Sequence, residues 1–183
     1  MNKKELRKEL ITVENKEAAD AAIFNTLINS ELYKKANNIF TYISTPSEPD
    51  TYKFIIKALN DNKQISVPKS FEAPIMKAIQ ITDLNNLTTG RYGIQEPTDN
   101  GQYTDPQLFD LIIVPCVRVA RDGYRLGHGK GYYDHYLKDI TCPTVCLAYK
   151  EYLTDELETE EHDIPVDYII TDMGLIDCKE NVE

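Results

Sequence analysis

Six short apolar runs rich in Val and Ile, at 39–43, 65–67, 75–81, 111–114, 145–148 and 168–170, constrain what this chain can become. Runs of this length suit buried strands better than helices. The run at 65–67 is closed by Pro68. Helical patterning fills the intervals. It covers the first thirty-odd residues, where Ala19, Ala22, Ile23 and Ile28 recur at roughly helical spacing without Pro or Gly, and again residues 51–59. Strands alternating with helices specify an α/β fold, expected as a three-layer sandwich with a mostly parallel central sheet and helices on both faces. A length of 183 residues at 42% hydrophobic composition is enough for one buried core, so a single domain spanning 1–183 is expected. Residues 82–110, rich in Asn, Thr, Asp, Gly and Pro, read as a long irregular excursion. In such sheets ligands gather beyond the carboxyl ends of the strands, which singles out the segments after Ile43 and Val114.

A net charge of -10 argues against a nucleic-acid partner, because phosphate-backbone affinity needs a concentrated basic face. No apolar run approaches the roughly 20 residues that span a bilayer, and no signal sequence is evident, so a cytoplasmic protein without a membrane partner is expected. The four cysteines, Cys116, Cys142, Cys146 and Cys178, form no CxxC pair and read as small buried hydrophobes. Two basic islands stand out against the acidic total. One is Lys3, Lys4, Arg7 and Lys8; the other is Arg118, Arg121, Arg125, His128 and Lys130, opposed only by Asp122. Each is able to hold a small polyanion, because screening limits repulsion from distant carboxylates. The N-terminal lysines alone are better read as solvated surface charge.

The most informative stretch is DLIIVPCVRVARDGYRLGHGKGYYDHYL, residues 110–137. Gly127, Gly129 and Gly131 alternate with His128 and Lys130 ahead of a helix opening at YYDHYL. Such a backbone curls tightly enough for successive amides to converge on phosphate oxygens, while Lys130 and Arg125 supply cationic donors. It is neither a Walker A loop nor a dinucleotide fingerprint, and without its cations a plain glycine turn explains it equally well. Asp134, one turn into the helix, either stabilises the helix start or serves as a magnesium ligand beside a nucleotide.

Taken together these residues resemble the 5-formyltetrahydrofolate cyclo-ligase family. The core of the likeness is PCVRVARDGYRLGHGKGYYDHYL, similar to the family's RLGxGxGYYD signature, with weaker collinear matches at KKELRKEL, YISTPSEPDT and GRYGIQEP. The resemblance implies ATP-dependent closure of 5-formyltetrahydrofolate, with or without a polyglutamate tail, by a monomer. It implies ATP binding by Lys3, Lys4, Arg7, Arg125, Leu126, Gly127, His128, Gly129, Lys130, Gly131, Tyr132 and Tyr133, with Lys130 and Arg125 catalytic. It places the folate at Ile43, Glu48, Tyr92 and residues His128 to Tyr132, and Mg2+ at Asp134 and Asp163. Glu48 and Tyr92 read otherwise as an ordinary loop charge and loop anchor. Cys116, Arg118, Val119 and Ala120 depart from the family pattern and leave the phosphate signature intact; Arg118 and Arg121 receive no role. Sugar-phosphate isomerases, acyl-CoA transferases and non-catalytic nucleotide or folate sensors share the fold or the ligands, and the N-terminal Lys–Arg pair with the Glu48 segment favours the ligase.

Overall fold

The computed structural model describes residues 1–98 and 101–181. In chain order the elements are α1 (Lys3–Lys8), α2 (Lys16–Asn29), α3 (Glu31–Lys35), β1 (Asn38–Thr41), α4 (Tyr52–Asn60), β2 (Gln64–Ser70), β3 (Met76–Ile81), β4 (Leu87–Thr89) and β5 (Gln95–Pro97). There follow β6 (Leu111–Val114), β7 (Arg118–Ala120), β8 (Arg125–Leu126), α5 (Tyr132–Leu137), β9 (Thr144–Leu147), β10 (Leu153–Thr154), β11 (Tyr168–Thr171) and β12 (Gly174–Asp177).

Seven strands form the central sheet in the order β12-β11-β9-β6-β1-β2-β3. The five inner strands run parallel, and the two edges, β3 and β12, are antiparallel. Fully buried LIIV in β6 and TVCL in β9 show why the inner runs lack polar alternation, since both sheet faces are covered. On one face α2 packs on β11, β12, α3 and α4, and α4 packs on β2. On the other, Phe40 of β1 meets Tyr136 of α5 and Phe109. This is the expected sandwich. The chain leaves β1 toward β2 on one side and later fills β6, β9 and β11 on the other, so the order reverses between β1 and β6. A crevice opens beyond the carboxyl ends of strands at such a reversal.

Three sequence expectations need correction. The first thirty-odd residues are not one helical stretch: α1 stops at Lys8, and helix resumes only at Lys16. The β-branched run Ile11, Thr12 and Val13 resists helix, and Asn15 caps the next one by accepting the Ala18 amide. Pro68 does not close β2, which continues to Ser70 paired with β3. Pairing with β1 ends at Ser66, so Pro68 lies where that side of β2 is an open edge that tolerates a missing N–H. The excursion at 82–110 carries an antiparallel hairpin, β4 with β5, and Glu96 Oε1 docks it onto β2 by accepting the Ser70 amide at 2.9 Å. Residues 99 and 100 of that stretch lie outside the described residues. Cys116, Cys146 and Cys178 are buried and Cys142 half-buried, all as free thiols.

Candidate active site

A cavity of about 1050 Å³ occupies the crevice at the strand-order reversal. Its walls come from the segments after β1 and β6, the end of β2, the β4–β5 hairpin, the glycine loop and α1. Every residue that the family resemblance assigns to the site lines it: Lys3, Lys4 and Arg7 from α1; Ile43 and Glu48 after β1; Tyr92 from the hairpin; Arg125 through Asp134; and Asp163, whereas Lys8, Arg118 and Arg121 of the basic islands do not. Sequence separations of more than a hundred residues are thus collapsed onto one surface.

The glycine loop follows β8, whose hairpin with β7 pairs Arg118 with Leu126. Gly129 and Gly131 take left-handed φ angles of +89° and +72°, and a Cβ on Gly129 would sit 3.3 Å from the Arg7 guanidinium carbon, so both need glycine. Gly127 needs it for neither reason; a Cβ there meets open space. Among the described residues, the amides of 127–131 donate to no protein acceptor, whereas the Gly127 carbonyl accepts from Arg7 Nε at 2.8 Å. The loop is therefore rich in donors and is pinned to α1 through a carbonyl.

Arg125 deepens this positive character. Its side chain is only 3% exposed, one NH2 donates to Asp134 Oδ1 at 3.3 Å, and its Nε is buried with no partner. A buried guanidinium so incompletely paired leaves positive charge uncompensated at the cavity wall. Lys130 is exposed, its ammonium 5.6 Å from the Tyr92 ring centre, and Tyr92 in turn meets Tyr132 edge-on at 6.3 Å. Burial and the hydrogen bond with Tyr92 push the Tyr132 phenol up to about 12, and its hydroxyl donates to the Phe71 carbonyl at 2.7 Å.

Glu48 sits in a different setting. Its loop is held by three tyrosine hydroxyls on successive carbonyls: Tyr152 to Ser47 at 2.6 Å, Tyr149 to Glu48 at 3.0 Å and Tyr42 to Pro49 at 2.8 Å. The buried Glu48 carboxylate accepts the Thr45 amide at 2.8 Å. Burial raises its pKa, opposed by the Thr45 hydrogen bonds and by His128.

The two carboxylates proposed for a metal are neighbours. Asp134 Oδ1 accepts the amide of Ile164, next to Asp163, at 3.1 Å, and its Oδ2 has no partner among the described residues. Asp163 Oδ2 accepts from Lys3 Nζ at 2.7 Å and from the Glu160 amide at 2.9 Å. Burial works against ionisation of Asp163, but these bonds win and its pKa falls; burial likewise opposes charge on Lys3, whose carboxylate partners raise its pKa. Among the described residues no group of three or more His, Cys, Asp or Glu converges on one point. The protein alone builds no closed metal cage. Magnesium bound chiefly by phosphate and water needs only one or two carboxylates, and each of these two has one oxygen engaged by a cation, Asp134 by Arg125 and Asp163 by Lys3, which leaves its other oxygen to serve that use.

The family model for the 5-formyltetrahydrofolate cyclo-ligase family matches residues 2–172. The chain belongs to that family. As a member it is an enzyme. It is similar to a probable 5-formyltetrahydrofolate cyclo-ligase of Caenorhabditis elegans, 27% identical over 174 residues that cover 87% of this chain and 84% of the relative. A 5-formyltetrahydrofolate cyclo-ligase of Mus musculus is 29% identical over 152 residues, covering 75% and 74%. The NMR structure of Aquifex aeolicus 5,10-methenyltetrahydrofolate synthetase superposes with a TM-score of 0.85 at 29% identity, covering 100% of this chain and 96% of that one.

Sequence reasoning missed several members of the cavity wall. Glu160, which joins Asp163 on Lys3 at 3.0 Å, stands three residues before Asp163 in an acidic run that reads as solvated. Cys116 and Met76 look like core residues, and both line the cavity from strand ends. The tyrosine hydroxyls behind Glu48 come from positions 42, 149 and 152, and only the fold shows that they converge.

Proposed function

We propose that this cyclo-ligase family member closes 5-formyltetrahydrofolate to 5,10-methenyltetrahydrofolate at the expense of ATP, releasing ADP and phosphate. Family membership and the 29%-identical methenyltetrahydrofolate synthetase neighbour support the synthetase activity. The observation that carries the nucleotide part is the loop of residues 127–131, whose amides lack protein acceptors beside the unpartnered Nε of Arg125. Donors and cations so arranged suit phosphate oxygens.

In this reading Lys3, Lys4, Arg7, Arg125 and Lys130 gather the triphosphate on the amides of residues 127–131, with Leu126, Tyr132 and Tyr133 completing the wall. The folate occupies the side lined by Ile43, Glu48 and Tyr92 and reaches the loop from His128 to Tyr132. The formyl oxygen attacks the γ-phosphorus as the bond to ADP breaks; N10 then attacks the formyl carbon, loses its proton, and phosphate leaves with the former formyl oxygen. Phosphoryl transfer of this kind asks the protein for alignment and charge neutralisation rather than a nucleophile. Lys130 and Arg125 supply that charge. Magnesium, held by Asp134 and by Asp163 once Lys3 passes to the phosphates, would supply further neutralisation of the phosphate oxygens. Burial of Glu48 favours its protonated form, which suits it to contact a heterocycle rather than phosphate. We place the reaction in the cytoplasm, in a monomer, with no nucleic acid or membrane partner.

The test is direct. Purified protein mixed with 5-formyltetrahydrofolate, ATP and magnesium should develop the near-ultraviolet absorbance of the methenyl product. No product while ATP still binds would favour a non-catalytic sensor and overturn the proposal.

A further inference from the structure

Helix α1 carries three cavity-lining cations, Lys3, Lys4 and Arg7, yet none of its residues is buried. The nearest side chains packed on the hydrophobic core, Ile11 and Val13, lie beyond its C-terminus, so how the helix itself lies is set by polar contacts. Two groups of these lie at the cavity: Arg7 on the Gly127 carbonyl, and Lys3 on Asp163 and Glu160. A nucleotide competes for the same cations. Among the described residues a further polar attachment lies away from the cavity, at the other end of the helix.

There Arg118 of β7, its side chain only 5% exposed, reaches the C-terminal end of α1. Its NH2 donates to both the backbone carbonyl and Oε2 of Glu9, each at 3.2 Å, while NH1 donates to the Val117 carbonyl at 2.6 Å. Glu9 is the residue that ends α1, so the guanidinium meets the helix where carbonyls are left unpaired and a cation is favoured. The guanidinium carbon stands 5.6 Å from the ring centre of Tyr152, whose hydroxyl in turn holds the Ser47 carbonyl beside Glu48. Arg118 does not line the cavity.

We infer that Arg118 is a positioning residue for the nucleotide: it latches the N-terminal arm at Glu9, so that Arg7 lands on the glycine loop and Lys3 on Asp163 and Glu160 at the cavity. The geometry supports this from both sides. Arg118 pairs in register with Leu126, the residue just before Gly127, so the strand pair that grips the arm also starts the loop on which the arm closes. One rigid hairpin thereby fixes arm and loop relative to each other. When phosphate draws Lys3 and Arg7 from their protein partners, the Glu9 latch keeps the arm in place. The inference rests on the nucleotide reading above for what the arm binds, and on the contacts of Glu9 alone for how the arm is held.

The experiment compares Arg118→Met, which keeps the stem beneath Tyr152, with Arg118→Lys, which keeps the charge but loses the fork. Amide hydrogen exchange over residues 3–9 and steady-state kinetics in both substrates are measured on each full-length protein. Arg118→Met should speed exchange in the arm and raise KM for ATP about tenfold, the effect of one charge-assisted contact, with kcat and KM for the folate within about twofold. Arg118→Lys should fall between. In a Lys3→Ala/Lys4→Ala/Arg7→Ala background, Arg118→Met should add no further loss in ATP affinity, because the latch then has no cation to position. Unchanged exchange in the arm, or a rise in KM for both substrates together, overturns the inference; if Arg118→Met does not fold, wild-type exchange in Arg118→Lys does so. A wild-type protein that consumes no ATP defeats the nucleotide reading instead, and the exchange comparison still decides whether Arg118 holds the arm.

Discussion

Two loops face each other across the cavity and treat their backbone in opposite ways. In the loop after β1, carbonyls 47, 48 and 49 each accept a tyrosine hydroxyl, the Thr45 amide is taken by Glu48, and Ser44 and Thr51 exchange bonds from each amide to the other's hydroxyl. Among the described residues, the amides of 127–131 in the glycine loop find no protein acceptor, and only the Gly127 and Gly131 carbonyls of that loop are used. Backbone groups are almost always paired with something, so the open amides are groups that water satisfies and a ligand can take over. The saturated loop acts as a rigid wall presenting one buried carboxylate; the unsaturated one is a receptor for anions. Pairing state, more than shape, separates the two halves of the site.

The largest expected break in this contrast comes from the receptor side. Lys130→Ala and Asp134→Asn should each fold with a near wild-type melting temperature and lose roughly 10²- to 10³-fold in turnover, as when one stabiliser of developing charge is removed. Wild-type rates for both variants with ATP and magnesium would show that the charges at 130 and 134 are bystanders. The wall side should fail differently. Tyr149→Phe removes the hydroxyl that lies 2.6 Å from Asp20 Oδ1 and 3.0 Å from the Glu48 carbonyl; Asp20 Oδ1 keeps the Asp50 amide, and the buried Glu48 carbonyl is left unmet. A loss of about 1–3 kcal/mol in urea unfolding is expected, with turnover at saturating substrate far less affected than in Lys130→Ala. A variant as stable as wild type would mean that the tyrosine clamp is ornamental.

Much of this was legible in the sequence, for reasons specific to particular residues. Short Val and Ile runs named the parallel strands, and the alternation of Gly127, Gly129 and Gly131 with His128 and Lys130 marked the donor loop, because both signals are local. The break in the N-terminal helix was hidden, since neither Gly nor Pro marks it and the β-branched run at 11–13 acts only through weak propensity. The clamp on the Glu48 loop was equally hidden: Tyr42, Tyr149 and Tyr152 are unremarkable in their own segments and meet only after β1 and β9 are placed. Arg118 was noticed and left without a role, because its partners, the carbonyl and Oε2 of Glu9, stand 109 residues away and the first is a main-chain atom that no side-chain pattern announces. Asp163 illustrates the limit from the other direction: the family resemblance marked it for metal, and the structure adds Lys3 at 2.7 Å as its partner.

A smaller effect sharpens the comparison within the glycine loop. Gly129→Ala must place a side chain at φ +89° against Arg7, at a cost of about 1–2 kcal/mol, whereas Gly127→Ala enters open space at an ordinary φ and should leave the melting temperature unchanged. If phosphate approaches that backbone, Gly127→Ala should still weaken ATP binding despite its normal stability, by a shift that calorimetric titration can read. Identical ATP affinity in Gly127→Ala would place the phosphates further along the loop.

The smallest effect concerns the saturated wall, and its sign follows from burial. Glu48 titrates in the folded protein above its ordinary value of 4.5, because burial disfavours the carboxylate more than Thr45 and His128 favour it. The folded state thus binds a proton at Glu48 more readily than the unfolded chain does. The stability from this preference is complete below the unfolded pKa and is lost as pH rises through the folded one. Glu48→Gln retains an acceptor for the Thr45 amide and carries no charge to bury. Its unfolding midpoint should therefore gain on wild type as pH rises above 4.5 and then hold a constant lead. Urea titrations of both proteins between about pH 4 and 8 read the difference. A difference that stays flat with pH, or shrinks as pH rises, would mean that the carboxylate is solvated and that the wall is open at the point where the folate is proposed to lie.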